Sequence, residues 1–305
     1  MSNSTFRTAV IHTPGGPDSI DIIEVPVTEP GRGEVRVAVA AATVNPVDVA
    51  VANGVFHAIG AVQQPKHTGL GWDFSGTIVA AGPGVDLAPG TRVAGLIGGV
   101  DRDFGTYAEQ LVVAVADVAV VPDGLDLVDA ATVPLNGQTA IQIVELLGRA
   151  PDGGNRLLVT GAAGAVGGYI LAFAQNSGWR VTGLARPEDE EFVRALGADL
   201  VTDTTPGWDA VADTATLQGE ALELVRDGGI FVGVLPEDVP APIRGIRTGA
   251  IMAHPDGAKL AELLARTASG ELPARVHSVV PLDRVVDAHK TVAKGGVRGR
   301  YVITP

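Results

Sequence analysis

No cysteine occurs anywhere in the chain, which excludes disulfides, thiolate nucleophiles and cysteine-ligated zinc sites. Positive charge is scarce as well. Lys and Arg number 22 against 35 Asp and Glu, giving a formal net charge of −13 and a pI near 4.8, and no basic run exists. Binding to a phosphate backbone is carried by Lys and Arg clusters, so nucleic acid and anionic membranes are not expected partners, and an RNA-binding role fits poorly. No stretch offers the roughly 18 uninterrupted apolar residues of a membrane-spanning helix. The start, Met1-Ser2-Asn3-Ser4, has no basic segment followed by an apolar core, so a cytoplasmic location is the expectation.

What the chain does contain is enough apolar residue, 46% of 305, to bury the core of one large or two medium domains. Forty glycines and twenty prolines are scattered through apolar runs rather than clustered, as turns between many short elements would be. Over residues 8–122 short alternating runs such as Gly33-Glu34-Val35-Arg36-Val37-Ala38-Val39-Ala40 predict a mostly β domain. Over 126–254 strands alternate with helical segments, the strands falling at 157–160, 180–185, 200–202, 210–213 and 229–235, which predicts a parallel sheet with crossover helices. A helix over 255–269 with Leu260, Leu263 and Leu264 on one face, a strand over 276–280, a short helix and a last strand over 301–304 complete the chain. There is no internal repeat.

The most informative segment is Gly161-Ala162-Ala163-Gly164-Ala165-Val166-Gly167, which follows the apolar strand from Arg156 to Thr160 and precedes the apolar run Tyr169-Ile170-Leu171-Ala172-Phe173-Ala174-Gln175. Small residues let the backbone approach a pyrophosphate while the helix that starts there offers free N–H groups and a positive dipole end. A glycine string alone is a weak signal in a chain this rich in glycine. Its place in a strand–turn–helix–strand unit, with the next strand arriving about 20 residues on, predicts a dinucleotide site. The backbone N–H groups of Ala163, Gly164, Ala165, Val166 and Gly167 are the expected phosphate donors.

The second strand of that unit ends in Gly183-Leu184-Ala185-Arg186. It lacks the acidic residue that holds the ribose 2′-hydroxyl of NAD, and it supplies an arginine that pairs a 2′-phosphate, so NADP(H) is favoured. The alternative is that Arg186 is a solvated charge before the acidic first turn Pro187-Glu188-Asp189-Glu190-Glu191, whose acids suit a helix start. At the carboxyl ends of later strands, Thr214 and Leu235 are expected near the adenosine and ribose.

Taken together, the β pattern and the turn resemble the medium-chain dehydrogenase/reductase superfamily, and within it the zinc-free quinone oxidoreductases similar to zeta-crystallin. The likeness rests on Ala42-Thr43-Val44-Asn45-Pro46-Val47-Asp48, Gly71-Trp72-Asp73-Phe74-Ser75-Gly76, Gly105-Thr106-Tyr107-Ala108-Glu109, Gly137-Gln138-Thr139-Ala140, the turn itself, Leu196-Gly197-Ala198-Asp199 and Gly299-Arg300-Tyr301-Val302. It spans nearly the whole chain. It implies an α/β fold, a doubly wound Rossmann parallel sheet beside a GroES-like mostly-β domain, with residues 1–123 as the GroES-like catalytic domain, 124–255 as the NADP-binding domain and 256–305 returning to the catalytic domain. Zinc-dependent relatives carry a Cys where Asn45 stands and a His-Glu pair where Trp72-Asp73 stand, so no metal is expected. The six histidines show no ligand spacing of their own.

The resemblance further implies hydride transfer from NADPH, in a cleft between the domains, to a quinone; an enone or alkenal reductase is the alternative, and a non-catalytic NADPH-binding sensor the rival of another class. The cofactor does the hard step, leaving the protein to orient it, to hydrogen-bond the substrate oxygen and to exclude water. Asn45 is the candidate polar group near the nicotinamide, with a turn-forming role before Pro46 as the other reading. His254 is the histidine placed near the nicotinamide. Thr139 is read as reaching the cofactor or as a helix cap, and Arg300 as reaching a cofactor phosphate where relatives carry a lysine. A tyrosine common in the family after the Asn-Pro motif is replaced here by Phe56 and His57, which leaves no protein group assigned as proton donor. Loops 54–64 and 98–103 are expected to shape the substrate pocket. A homodimer through the Rossmann sheet edge is expected, with 236–247 as the edge strand.

Overall fold

A computed structural model describes residues 4–305, so the expectation drawn from Met1-Ser2-Asn3 lies outside the described residues. The chain divides into two compact units, Met1–Leu135 with His254–Pro305, and Asn136–Ala253.

In the first unit the alternating runs become β1 (Thr5–Ile11), β2 (Ile20–Pro26), β3 (Glu34–Val44), β4 (Thr68–Gly69), β5 (Asp73–Ala81), β6 (Arg92–Leu96), β7 (Gln110–Ala114) and β8 (Val118–Val120). Between β3 and β4 lie α1 (Pro46–Ala52) and α2 (Val55–Ala58), and after β8 comes α3 (Leu127–Ala131). In β3 Val35, Val37 and Val39 are buried while Glu34, Arg36 and Ala38 are half-buried, the period of two that sets one face of a strand on a core. Those valines pack with Phe74, Ile78, Val93, Leu111 and Val113, each worth roughly 1.5–3 kcal/mol on burial.

The second unit begins inside α4 (Pro134–Leu147) and carries β9 (Arg156–Thr160), α5 (Ala165–Ala174), β10 (Arg180–Leu184), α6 (Glu190–Ala195), β11 (Asp199–Val201), β12 (Trp208–Asp213), α7 (Gly219–Glu223), β13 (Val225–Gly233) and β14 (Arg247–Ala250). All pairs in its six-stranded sheet are parallel and the order is β11-β10-β9-β12-β13-β14. The chain winds outward from β9 to β11 and then returns to the other side of β9. That reversal is a doubly wound topology, and ligands bind such sheets beyond the carboxyl ends of the strands at the switch point, here between β9 and β12. The expected edge strand over 236–247 is not there. Residues Pro236–Asp238 form a 3₁₀ turn, and the edge is β14, which begins at Arg247. The reason is Pro236, Pro240 and Pro242, which remove ladder donors from that segment.

The chain then returns to the first unit through α8 (Gly257–Ala268), β15 (Val276–Pro281), α9 (Val285–Ala293) and β16 (Arg300–Thr304). The leucines at 260, 263 and 264 are buried, as their spacing predicts. β16 pairs antiparallel with β3, Tyr301 opposite Val44 and Ile303 opposite Ala42, and so completes the seven-stranded sheet β15-β16-β3-β5-β6-β8, with β7 also on β3. The fold is thus α/β, a GroES-like β unit and a Rossmann unit, as expected.

Candidate active site

In the Rossmann unit the turn after β9 is built by backbone crowding. Gly161 sits at φ +60°, a left-handed position that suits glycine, and its carbonyl accepts from Gly164 N at 2.7 Å. A Cβ on Gly167 would strike that carbonyl and lie 2.9 Å from Ala162 Cα, and one on Gly183 of β10 would lie 2.6 Å from Ala162 Cβ. Helix α5 therefore starts pressed against the turn. Its N-cap, Gly164, has no side chain to satisfy the first-turn N–H groups, so Ala165, Val166 and Gly167 present donors and a positive dipole end. Such a cradle fits a pyrophosphate.

The switch point beside it is closed by a hydrogen-bond set at the carboxyl ends of β9 and β12. Thr160 Oγ1 donates to Asp213 Oδ1 at 2.6 Å, Thr214 Oγ1 to the Thr160 carbonyl at 2.6 Å, and Gln218 N to Asp213 Oδ2 at 2.7 Å. The Asp213 carboxylate and the Thr214 proton are thus committed to structure. Leu235 follows the end of β13 and is half-buried. Arg186 follows β10 with its guanidinium 59% exposed and 3.9 Å from Glu188, while its backbone N donates to Asp189 at 3.3 Å. An exposed pair of that kind is worth little and leaves the guanidinium available. Thr139 is buried in α4 beyond its first turn, which removes the capping alternative.

In the β unit, neighbouring strand ends bring three predicted segments together. Asn45 follows β3, Asp73 opens β5 and Arg300 opens β16, and the pairings of Ala42 with Phe74 and of Val44 with Tyr301 set Asp73 and Arg300 on either side of Asn45. The Asn45 side chain makes no capping bond to α1. Its Nδ2 instead donates to Asp73 Oδ1 at 3.1 Å, to Thr43 Oγ1 at 3.1 Å and to the Thr43 carbonyl at 3.2 Å. Thr43 Oγ1 in turn donates to Asp73 Oδ1 at 2.6 Å. Asn45 Oδ1 and Asp73 Oδ2 are buried without partners. Burial is the main force pushing the Asp73 carboxyl up to about 7, opposed by the Thr43 hydrogen bond and assisted by the Asp48 charge.

Residues that pattern reading did not assign hold this cluster. Asp48, buried in α1, accepts from Asn45 N at 2.9 Å and from Gly71 N at 2.9 Å, so one carboxylate ties the Asn-Pro segment to the Gly-Trp-Asp segment. Burial raises it to about 6. Arg102 lies 5.1 Å over the Trp72 ring and donates to the carbonyls of Gly71, Ile97 and Gly99. Tyr107 is fully buried, donates to the Thr43 carbonyl at 3.2 Å, and is held well above its usual pKa by burial, so its hydroxyl keeps its proton at neutral pH. The loops over 54–64 and 98–103 are tied by Gln63 N donating to Asp101 at 2.9 Å, with Val55 and Ile59 exposed. His57 donates or accepts at Thr68 Oγ1, 3.2 Å away. His254 is exposed at the start of the return segment.

This donor set does not make a zinc site. An indole offers no lone pair, and Asn45 Oδ1 and Asp73 Oδ2 are two oxygens where such a site takes three or four nitrogen, sulfur or oxygen ligands. What the two units define, a Rossmann phosphate cradle and a GroES-like unit with a buried polar cluster, is a dinucleotide-dependent oxidoreductase.

Residues 31–123 match the alcohol dehydrogenase GroES-like domain and 187–303 the zinc-binding dehydrogenase domain. The chain belongs to the medium-chain dehydrogenase/reductase superfamily of oxidoreductases, and its residues fit the zinc-free branch. It is 30% identical to a probable zinc-binding oxidoreductase, mitochondrial, of Arthroderma benhamiae, over 78% of this chain and 80% of that one. It is 28% identical to an NADPH-dependent alkenal/one oxidoreductase, chloroplastic, of Arabidopsis thaliana, over 95% of this chain and 77% of that protein. With polyketide synthase GfsB of Streptomyces halstedii identity is 32% over 99% of this chain, which spans only 6% of that protein. The quinone oxidoreductase of Coxiella burnetii shares the fold, with a TM-score of 0.86 at 23% identity, covering 99% of this chain and all of that one.

Proposed function

We propose that the chain is a metal-free, NADPH-dependent reductase of conjugated carbonyl compounds, acting on an alkenal or enone, and on quinones by the same chemistry. The observation that carries this is the Asn45–Trp72–Asp73 cluster. With no ligand set there to polarise an isolated carbonyl, the acceptor must already delocalise the negative charge that hydride addition creates, as enones and quinones do. The relative named for alkenal/one reduction supports the enone ahead of the quinone.

NADPH supplies the hydride when bound. Ala165, Val166 and Gly167 offer their N–H groups to the pyrophosphate, with Ala163 and with Gly164, whose N–H is spent on the Gly161 carbonyl, shaping the turn beneath it; Arg186 pairs the 2′-phosphate, Thr214 and Leu235 line the adenosine side, and Thr139 contributes on α4. Asn45, whose donors are spent on Asp73 and Thr43, keeps Oδ1 as an acceptor toward a carboxamide or ribose hydroxyl of the nicotinamide half. Arg300, set beside Asn45 by the β16 register, serves that half of the cofactor, and His254 is retained as a contact to it. The proposal includes a cytoplasmic homodimer built on the sheet edge at β14. No helix among the described residues is long and apolar enough to cross a membrane.

The test follows oxidation of NADPH and of NADH against a panel of enones, alkenals, quinones and saturated ketones. Turnover on enones with NADPH is expected. Turnover on saturated ketones alone, or cofactor binding without turnover on any member, would overturn the reading.

A further inference from the structure

The opposite end of the Rossmann sheet carries a second basic feature. Arg156, Arg180 and Asp199 are the first residues of β9, β10 and β11, at the amino edge, one strand length of about 16 Å from the phosphate turn. A cavity of about 480 Å³ opens there, lined by Arg156, Arg180, Arg194, the carboxylate of Asp199, Gln175 and Gly197 among others. Three arginines in one cavity are notable in a chain with a net charge of −13. They are not equivalent. Arg194 is neutralised by Glu190 at 2.8 Å and Asp199 at 3.8 Å. Among the described residues Arg180 has no carboxylate partner, and the Arg156 guanidinium lies 4.3 Å over the Trp208 ring while its backbone N donates to Asp209 Oδ2 at 2.8 Å, a carboxylate paired with Arg226 at 2.6 Å.

Arg156 and Arg180 are register partners in the β9–β10 ladder, so their side chains leave the same face of adjacent strands, about 4.8 Å apart at the backbone. Like charges directly opposed across a ladder are destabilising. Both side chains line the one cavity, Arg156 with its guanidinium also over the Trp208 ring, and guanidinium forks lining a common cavity suit a tetrahedral dianion. The Leu196-Gly197-Ala198-Asp199 segment, which the dinucleotide site does not use, shapes the wall. Gly197 has φ +77°, and a Cβ there would lie 2.9 Å from Gln175 Nε2, whose donors are held by the Leu171 and Leu196 carbonyls at 2.9 and 3.0 Å. A bare glycine keeps that side of the cavity open.

We propose that this cavity is a phosphate-dianion site, taking free phosphate or the phosphate of a small monoester, with Arg156 and Arg180 as the binding pair. It is separate from the dinucleotide cradle and does not depend on the proposed reaction. The test is calorimetric titration of the full chain at fixed ionic strength with ribose 5-phosphate, with inorganic phosphate, and with ribose as the uncharged control, repeated on Arg180→Gln and Arg156→Gln. Saturable binding of the phosphates and not of ribose is expected, weakened about tenfold or more in each variant. Tighter binding of ribose 5-phosphate assigns a monoester, and equal binding assigns the free anion. Arg180→Gln is also expected to melt at or above the wild-type temperature, because it relieves the like-charge pair. Absence of saturable binding in the wild type, or undiminished affinity in both variants, which would return the phosphate to the dinucleotide turn, overturns the proposal.

Discussion

Arg186 and Asp73 stand for two kinds of residue. Arg186 is exposed and, among the described residues, its one ion pair is with a carboxylate at 3.9 Å, so its removal leaves the fold untouched and acts on ligand alone. Arg186→Ala is expected to raise the KM for NADPH by about tenfold while leaving that for NADH unchanged; equal effects in steady-state kinetics with the two cofactors would remove Arg186 from the 2′-phosphate. Asp73 is interior and acts through charge. Its carboxyl rises from 3.8 to about 7 in the folded chain, so the folded state keeps a proton that the unfolded chain has released. The associated stability is complete below about pH 3.8 and is lost as pH rises through about 7. His289, lowered by burial from 6.5 to about 4, works in the opposite sense and only below its unfolded value. Denaturation between about pH 6.5 and 8 should therefore show stability falling by on the order of 1 kcal/mol. In Asp73→Asn that fall should flatten, and an unchanged slope would reassign it. Asn45 was legible as a polar residue at a turn, but the three acceptors of its amide were not, because they belong to Thr43 and to a strand 28 residues away. Asp48, Arg102 and Tyr107 were hidden for the same reason. Each reads as an ordinary helix, loop or strand residue until its burial is known.

At the scale of elements, the phosphate turn was legible almost to the residue, because strand, glycine turn and helix are contiguous and each obeys a local rule. Gly167 shows why the turn tolerates so little. Its α-carbon faces the Gly161 carbonyl and the Ala162 backbone, and neither atom sits on a movable side chain. Gly167→Ala is expected to destabilise the Rossmann unit by about 1–3 kcal/mol and to weaken NADPH binding. Chemical denaturation together with a cofactor titration checks both, and wild-type values in both would show that the turn can relax. Residues 236–247 went the other way. The family resemblance implies an edge strand there, whereas three prolines hand the edge to β14. Strand ends elsewhere moved by a few residues, as at Val225–Gly233, where the ladder rather than the hydrophobic run sets the limits.

For the molecule as a whole, two units of different architecture share one acidic chain, and the dinucleotide reading predicts linkage between ligand and stability. NADPH at about one hundred times its Kd should stabilise the protein by about 2.7 kcal/mol. At the same NADPH concentration the stabilisation should fall to about 1.4 kcal/mol in Arg186→Ala, with a correspondingly smaller rise in melting temperature, while the rise with NADH is kept. A melting temperature indifferent to both cofactors would refute dinucleotide binding.

The sequence by itself determined the class of fold, the position of the phosphate turn and the absence of cysteine ligands, since these depend on local periodicity, on contiguous motifs and on composition. Only the tertiary structure decided which polar groups meet. Asn45, Asp73 and Arg300 lie far apart in the chain and become neighbours because β3, β5 and β16 are hydrogen-bonded side by side, and Arg156 comes to face Arg180 only through the β9–β10 register. Strand pairing is a long-range choice made by the whole core, so the residues it juxtaposes leave no local trace in the sequence.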